Sequence, residues 1–349
     1  MTKLTNKLRR TARCLWACLL SWSGTLWWIK RQLRRQGATV VLMLHRVLDD
    51  SGYRRTHSLP GILLRESTFR AFAAYIARYC SPKHLSEAEP GRCAKKLSVV
   101  VTFDDGWKDN YTVALPIAFA YHVPFTVFVC PGATDRTYPF WPERAVALLR
   151  EAWPGAENAE IERKVESLKG LEEKAREEYL ARLAEHGSAH PEKVSTIDKT
   201  LSWPEMTHMK RTGVRFGSHT QTHQILTTVS EARAVLEVAD SKREIEDRLG
   251  TSCDTFAYPN GNWSPRIRQA LEDAGFRLAV TTECGAWTTS CDRLAIPRAS
   301  IYEDNVVGLT GRFSPAMFEY TAIWKAWRAK KVKSRPDAHA QRQPATATL

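Results

Sequence analysis

The sequence lacks several features that would point to common functions. No Cys-x-x-Cys pair occurs, and the eight cysteines are spread thinly over 349 residues. Structural zinc on thiolates and a dithiol redox motif are therefore both disfavoured. No internal repeat is visible, so nothing suggests a stacked array. The longest apolar stretch, residues 14–29, is sixteen residues long. As a helix it reaches roughly 24 Å, short of a ~30 Å hydrocarbon core. It has a basic start but no small-x-small cleavage site, which disfavours a secretory signal. Residues 1–36 contain no acidic residue at all, against nine basic ones.

That one-sided charge accounts for much of the whole. The chain carries 51 Lys+Arg and 38 Asp+Glu, a formal +13, and residues 328–349 hold six basic residues and one acid. The two ends sum to +14, so residues 37–327 carry net −1. A near-neutral body is not built to grip nucleic acid. Basic ends suit an anionic membrane surface. Four of the twelve Trp lie in 14–29, and Leu4, Leu8, Leu15, Leu19, Trp22, Leu26, Ile29 and Leu33 recur at three, four or seven. This pattern predicts one amphipathic helix lying in a membrane interface. The bland alternative is a helix packed on the body. The expected location is an inner-membrane surface, with either face open. The tail, 328–349, reads as basic and disordered.

The body alternates short apolar runs with helical patterns. Strands are predicted at 39–46, 97–103, 124–130, 214–218, 253–258, 277–282 and 294–298. Helices are predicted at 230–249, between Ser230 and Gly250, and at 265–274, with Ser264 as cap and Pro265 first. Such βα alternation gives a parallel sheet or barrel. Residues 142–190 interrupt it, with ten acids and six bases in 151–185. They read as a solvated helical hairpin inserted in the fold, or as a lid or partner-docking element.

Three runs carry candidate chemistry. VTFDDG (101–106) ends an apolar strand on two carboxylates, Asp104 and Asp105. One could hold a metal and the other move a proton, although Asp-Asp-Gly also reads as a turn with a helix cap. GSHTQTH (217–223) places His219 and His223 four apart, a spacing that suits two metal ligands and equally two unrelated surface histidines. FAYPNG (256–261) is a turn signal that could aim a backbone N–H at an oxyanion.

Taken together and in this order, the runs resemble the polysaccharide deacetylase family, also called the NodB-homology or carbohydrate esterase 4 family. The resemblance covers roughly residues 39–301 without the insertion, and FAYPNG looks like the variant third motif of bacterial exopolysaccharide and envelope deacetylases. It implies a deformed (β/α)₇ barrel, here with a helical insertion and a basic N-terminal helix. It implies one divalent metal, usually Zn²⁺, held by Asp105, His219 and His223. Asp104 would be the general base. The Asn260 N–H would face the oxyanion, and Tyr258 in the same run would contact substrate. The expected partner is an N-acetylated glycan or glycolipid, with no nucleic acid; the oligomeric state stays open.

Two departures stand out. The family's usual acid is a His in a Leu-x-His motif late in the barrel, yet the only His after residue 261 is His339. His45, in LMLHRV, matches the placement of the acid in a branch acting on poly-N-acetylglucosamine. The family's usual Arg in the third motif is here Ala257, and Arg298 is the candidate replacement. The chemistry expected is N-deacetylation, with O-deacetylation or deformylation as close variants. A non-catalytic glycan-binding relative is the alternative.

Overall fold

The computed structural model describes residues 3–134, 140–185 and 198–332. Helices α1 (Lys3–Trp22) and α2 (Thr25–Arg35) precede the first strand, β1 (Thr39–Leu44). After His45 come β2 (Arg46–Leu48), α3 (Asp50–Arg55), β3 (Leu63–Arg65), α4 (Glu66–Tyr79), β4 (Cys80–Lys83) and β5 (Leu97–Phe103). Helix α5 (Leu115–Ala120) and strand β6 (Phe125–Val129) lead to α6 (Trp141–Ala152), α7 (Asn158–Leu168), α8 (Glu173–Glu185) and α9 (Trp203–Arg211). Strand β7 (Arg215–Ser218), α10 (Glu231–Leu249), β8 (Thr255–Ala257), α11 (Pro265–Asp273), β9 (Leu278–Val280) and β10 (Ala299–Ser300) follow. Helices α12 (Glu303–Val306), α13 (Pro315–Glu319) and α14 (Lys325–Val332) end the described chain. The basic tail predicted at the C-terminus falls, from 333 onward, outside the described residues.

The main sheet runs β10-β1-β5-β6-β7-β8-β9, with every pair parallel. Strand β4 pairs with the first half of β5, and β6 takes over along Val101–Phe103. The sheet is a curled, parallel, deformed barrel, as the sequence predicted. Its strands are β-branched and buried on both faces, as parallel strands under helices must be. In β1, Val40, Leu42 and Leu44 face the helical layer, while Val41 joins Val100, Phe128, Ala257, Val280, Trp287 and Ile296 inside the barrel. The helix stops are where the sequence placed them: Ser230 caps α10, Gly250 ends it at φ 58°, and Ser264 caps α11 with Pro265 first.

Three expectations need correction. No strand forms over 294–298, because Pro297 has no N–H to give a ladder. Ile296 makes only a single bridge to Val280, and pairing with β1 starts at Ala299. The gap is spanned by irregular chain tied at Thr39 and Trp287, whose backbones exchange bonds of 2.9 and 2.8 Å. The insertion is not a hairpin. It forms α6, α7 and α8 around its own apolar cluster, which includes Trp141, Leu149, Ile161, Val165, Leu168 and Leu180. The N-terminal stripe is not one helix face either. Gly24, at φ 73°, breaks the helix, and α2 turns its half of the stripe inward. Leu26, Ile29 and Leu33 are buried on the body, while Leu8, Leu15, Leu19 and Trp22 are exposed. Helix α1 touches the body through the opposite face, at Cys14 and Ala17 against Met317. Among the described residues no helix is long and apolar enough to cross a membrane.

This split gives a prediction. Leu33→Ala should cost about 2–5 kcal/mol of unfolding free energy, as a deleted core side chain does, whereas Leu19→Ala should change it by less than about 0.5 kcal/mol. Urea unfolding of both variants measures the contrast, and equal losses would contradict the divided stripe.

Candidate active site

Because all the main strands run the same way, the loops at their C-terminal ends gather on one side. His45 follows β1, Asp104 and Asp105 follow β5, His219 and His223 follow β7, and Asn260 follows β8. The local backbone is unusual there. Among the described residues, five non-glycine residues have left-handed φ, and four of them are Asp105, Thr220, His223 and Asn260. Such conformations each cost of order 1 kcal/mol and persist only where the surroundings impose them. Gly106 continues the DDG turn at φ 69°, where a Cβ would lie 2.8 Å from Val129 Cγ1. The buried Glu237 carboxylate of α10 holds the histidine loop, accepting from Thr222 N at 2.8 Å and Thr222 Oγ1 at 2.7 Å.

Asp105, His219 and His223 each offer one ligand atom, all within 4.8 Å of one another. Both Nε2 atoms face Asp105 Oδ1, at 3.5 Å from His219 and 3.4 Å from His223. His219 Nδ1 lies 2.7 Å from the Ala257 carbonyl. A carbonyl only accepts, so Nδ1 carries a proton, which leaves Nε2 as the atom turned into the cluster, free to bind a cation once it is unprotonated. Trp107 Nε1 donates to Asp105 Oδ2 at 3.0 Å, leaving Oδ1 for the centre. A divalent cation fits this set: two imidazole nitrogens, one fixed in tautomer, and an oriented carboxylate oxygen.

Asp104 is placed differently. It does not join the cluster but receives a two-pronged contact from Arg298, with Nη1 to Oδ1 and Nη2 to Oδ2 both at 2.7 Å. Both side chains are buried. Arg298 also donates from Nε to the Thr281 carbonyl at 2.8 Å and from Nη1 to Thr102 Oγ1 at 3.1 Å. Burial pushes the Asp104 carboxyl upward, but the Arg298 charge and hydrogen bonds outweigh it, with help from His219 and His45, and hold it below its ordinary value. Asp105 also resists burial and lies well below its ordinary value, chiefly through the hydrogen bonds from His219 and His223. The stability from the Arg298 pair is thus present above the unfolded carboxylate pKa and is lost as pH falls through the lower folded value.

Tyr258 does not line the site. It is fully buried, and its hydroxyl donates to the Leu294 carbonyl at 2.8 Å. Asn260 stands beyond it in the turn, exposed, with its Oδ1 taken by Lys169 Nζ at 2.8 Å and its own carbonyl accepting from Thr282 Oγ1 at 3.1 Å. His45 is half-buried and near enough to bias both carboxylates.

Several contributors were not foreseen from sequence. Phe140, the cap of α6 just before the insertion, packs on the site: its ring lies 5.0 Å from His223 and 5.8 Å from Trp107. Gln224 is held from the same insertion by Arg176 Nη2 and Glu173 Oε1, at 2.7 and 2.8 Å. Glu143, in the first turn of α6, has its carboxyl pushed up to about 8 by burial and then by the Asp105 charge. Arg46, fully buried, stacks on Trp107 at 4.2 Å and pairs with Asp109 and Asp198. Only the aromatic and acidic residues next to the DDG run, Trp107 and Asp109, carried any local sequence signal.

Comparison with known proteins follows this geometry. Residues 91–279, more than half of the chain, match the family described as polysaccharide deacetylase. The chain belongs to that family. The Bacillus subtilis (strain 168) protein YxkH is 22% identical over 203 residues, and the match spans 58% of this chain but only 51% of that relative. The chain thus matches about half the length of this curated relative. Among solved structures, the Streptococcus pyogenes deacetylase PplD in complex with acetate aligns with a TM-score of 0.51 and 22% identity, over 80% of this chain and 99% of that one. IcaB from Ammonifex degensii aligns with a TM-score of 0.51 and 19% identity, over 77% and 94%. These likenesses carry the fold.

The electrostatics predict how the site takes up metal. Burial works against a proton on His219, but the Asp105 hydrogen bond and the two carboxylate charges keep its pKa above the ordinary value. Burial dominates at His223 and lowers it. A divalent cation would therefore displace the proton chiefly at His219, so its affinity should fall as pH drops and binding should release protons. Calorimetry in buffers of different protonation enthalpy measures this; pH-independent binding without proton release would contradict it.

Proposed function

We propose that the chain is a metal-dependent N-deacetylase acting on an N-acetylated envelope glycan or lipid-linked sugar at an anionic membrane surface. The observation that carries this reading is the separation of roles between adjacent aspartates. Asp105 faces the two histidines, whereas Asp104 is kept ionised and oriented by Arg298. A purely structural metal site has no use for the second carboxylate. Arg298 offsets the desolvation cost of burying that carboxylate and leaves it ionised next to Asp105.

Asp105, His219 and His223 would hold the cation, most simply Zn²⁺, which would supply Lewis acidity toward a water molecule and the amide carbonyl. The other roles belong to the chain. Asp104 accepts the proton of the attacking water. Arg298 fixes the direction of that carboxylate and stands in for the arginine absent at Ala257. The turn at Asn260 presents backbone N–H to the carbonyl oxygen. His45 delivers a proton to the leaving nitrogen, which cannot depart as an amide anion. O-Deacetylation and deformylation use the same steps, so substrate preference rests on the cleft rather than on these residues.

The N-terminal pair supports the membrane part of the reading. Besides Leu8, Leu15, Leu19 and Trp22, the exposed apolar side chains include Trp16, Trp27 and Trp28. Arg31 lies over the Trp27 ring at 5.5 Å. Exposed Trp beside Arg and Lys is the composition that settles at a lipid headgroup boundary.

Acetate release from a panel of N-acetylglucosamine oligomers and lipid-linked sugars is the test. Asp104→Asn should abolish release while zinc binding persists, and His45→Gln should reduce it about 10²–10⁴-fold. Because Asp104→Asn unpairs a buried arginine, its folding is checked by circular dichroism. Full activity after complete chelation, or in folded Asp104→Asn, would overturn the proposal.

A further inference from the structure

A second feature lies away from the metal cluster. A cleft of about 660 Å³ opens between α1, the turn at Pro60–Gly61, α7 and the start of α12. Lys7, Arg9, Arg10 and Arg13 line it, against two acids, Glu162 and Asp304. Two of these cations are tied to backbone carbonyls of the body. Arg13 Nη2 donates to the Asp304 carbonyl at 2.8 Å, and Arg10 Nη2 to the Gly308 carbonyl at 3.2 Å. The nearest approach of Arg10 to the Asp304 carboxylate is 3.9 Å. Arg10 Nε and Arg13 Nε are both buried without a hydrogen-bond partner. The cleft thus gathers four cations against two acids, and guanidinium groups match phosphate oxygens in geometry.

The surroundings say where such a phosphate would come from. Arg10 and Arg13 flank the body-facing side of α1, whose opposite side carries the exposed Leu8, Leu15, Leu19 and Trp22. With that apolar side in a lipid interface, the cleft opens at headgroup level. The cleft is linked to the candidate site through the insertion. Leu59 packs on the apolar cluster of the insertion, which contains Ile225, two residues past His223. Glu162 of the same insertion forms part of the cleft.

The geometry points to a binding site for the phosphate or diphosphate ester of a lipid, seated between α1 and α7 with Arg10 and Arg13 as its principal ligands. Two lipids present this chemistry: a phospholipid with a phosphomonoester headgroup, and a glycan carrier whose N-acetylated sugar reaches the metal site. The second source rests on the deacetylase reading; the binding itself does not, and is measured without turnover.

The full chain is titrated with inorganic diphosphate by calorimetry, and floated with phosphatidylcholine vesicles containing either phosphatidic acid or phosphatidylserine. Diphosphate should bind, and Arg10→Gln/Arg13→Gln should weaken it at least about tenfold. Because those arginines also tie α1 to the body, Lys7→Gln/Arg9→Gln on the cleft rim is the second variant, and it should weaken binding in the same direction. Phosphatidic acid vesicles should be preferred to phosphatidylserine vesicles, and the preference should vanish in both variants. Trp22→Ser/Trp27→Ser should lose vesicles of either kind yet keep diphosphate, which separates this cleft from general membrane attachment. A KM for a polyprenyl diphosphate N-acetylglucosamine that rises in the rim variant at unchanged kcat assigns the site to the carrier. Unchanged KM with lost phosphatidic acid preference assigns it to the headgroup. Equal diphosphate affinity in wild type and both folded variants, or no diphosphate binding at all, overturns the inference.

Discussion

The contact between Arg298 and Asp104 holds two things at once. Neither charge could be buried alone, because desolvation costs several kcal/mol per ion and is offset only by close, fully bonded partners. The same guanidinium reaches Thr281 just after β9 and Thr102 in β5. It therefore ties together the two sides of the barrel where Pro297 prevents a regular strand. Closure of the fold and orientation of the proposed base are one interaction. A carboxylate held below its ordinary value is ionised and a weaker base than usual, so an acidic water suits it as proton donor. The cluster of Asp105, His219 and His223 beside it is suited to holding a cation that provides such acidity.

Much of this was legible in the sequence, for local reasons. Helix limits at Ser230, Gly250, Ser264 and Pro265 follow from capping and backbone preference, which neighbours in the chain decide. Apolar runs at 97–103 and 124–130 became β5 and β6 because buried parallel strands need little beyond β-branched side chains. The doublet of aspartates and the spaced histidines were visible because each sits in one short run. Arg298 could be named as a stand-in for the arginine missing at Ala257, but its two-pronged reach to Asp104 is a tertiary fact.

What failed did so where distant contacts decide. The regular spacing from Leu4 to Leu33 concealed a break, since periodicity continues through Gly24 while the chain does not. Tyr258 adjoins the Asn260 turn in sequence, yet strand alternation directs its ring into the core. Glu237 and Lys169 carry no local mark: one is a buried acid on α10 and the other an ordinary lysine after α7. Each acts on a motif loop far away in sequence. The insertion looked like a solvated appendage because its surface is highly charged. Its apolar residues are fewer, but they close over Ile225 and set Phe140 against His223.

The most direct test of the central claim is acetate release from an N-acetylglucosamine oligomer while zinc is titrated into chelator-stripped wild-type protein. The account predicts no release without metal and a rise that saturates near about one zinc per chain. Release that is full before any zinc is added, or absent at saturation from every N-acetylated glycan and glycolipid offered, would contradict it.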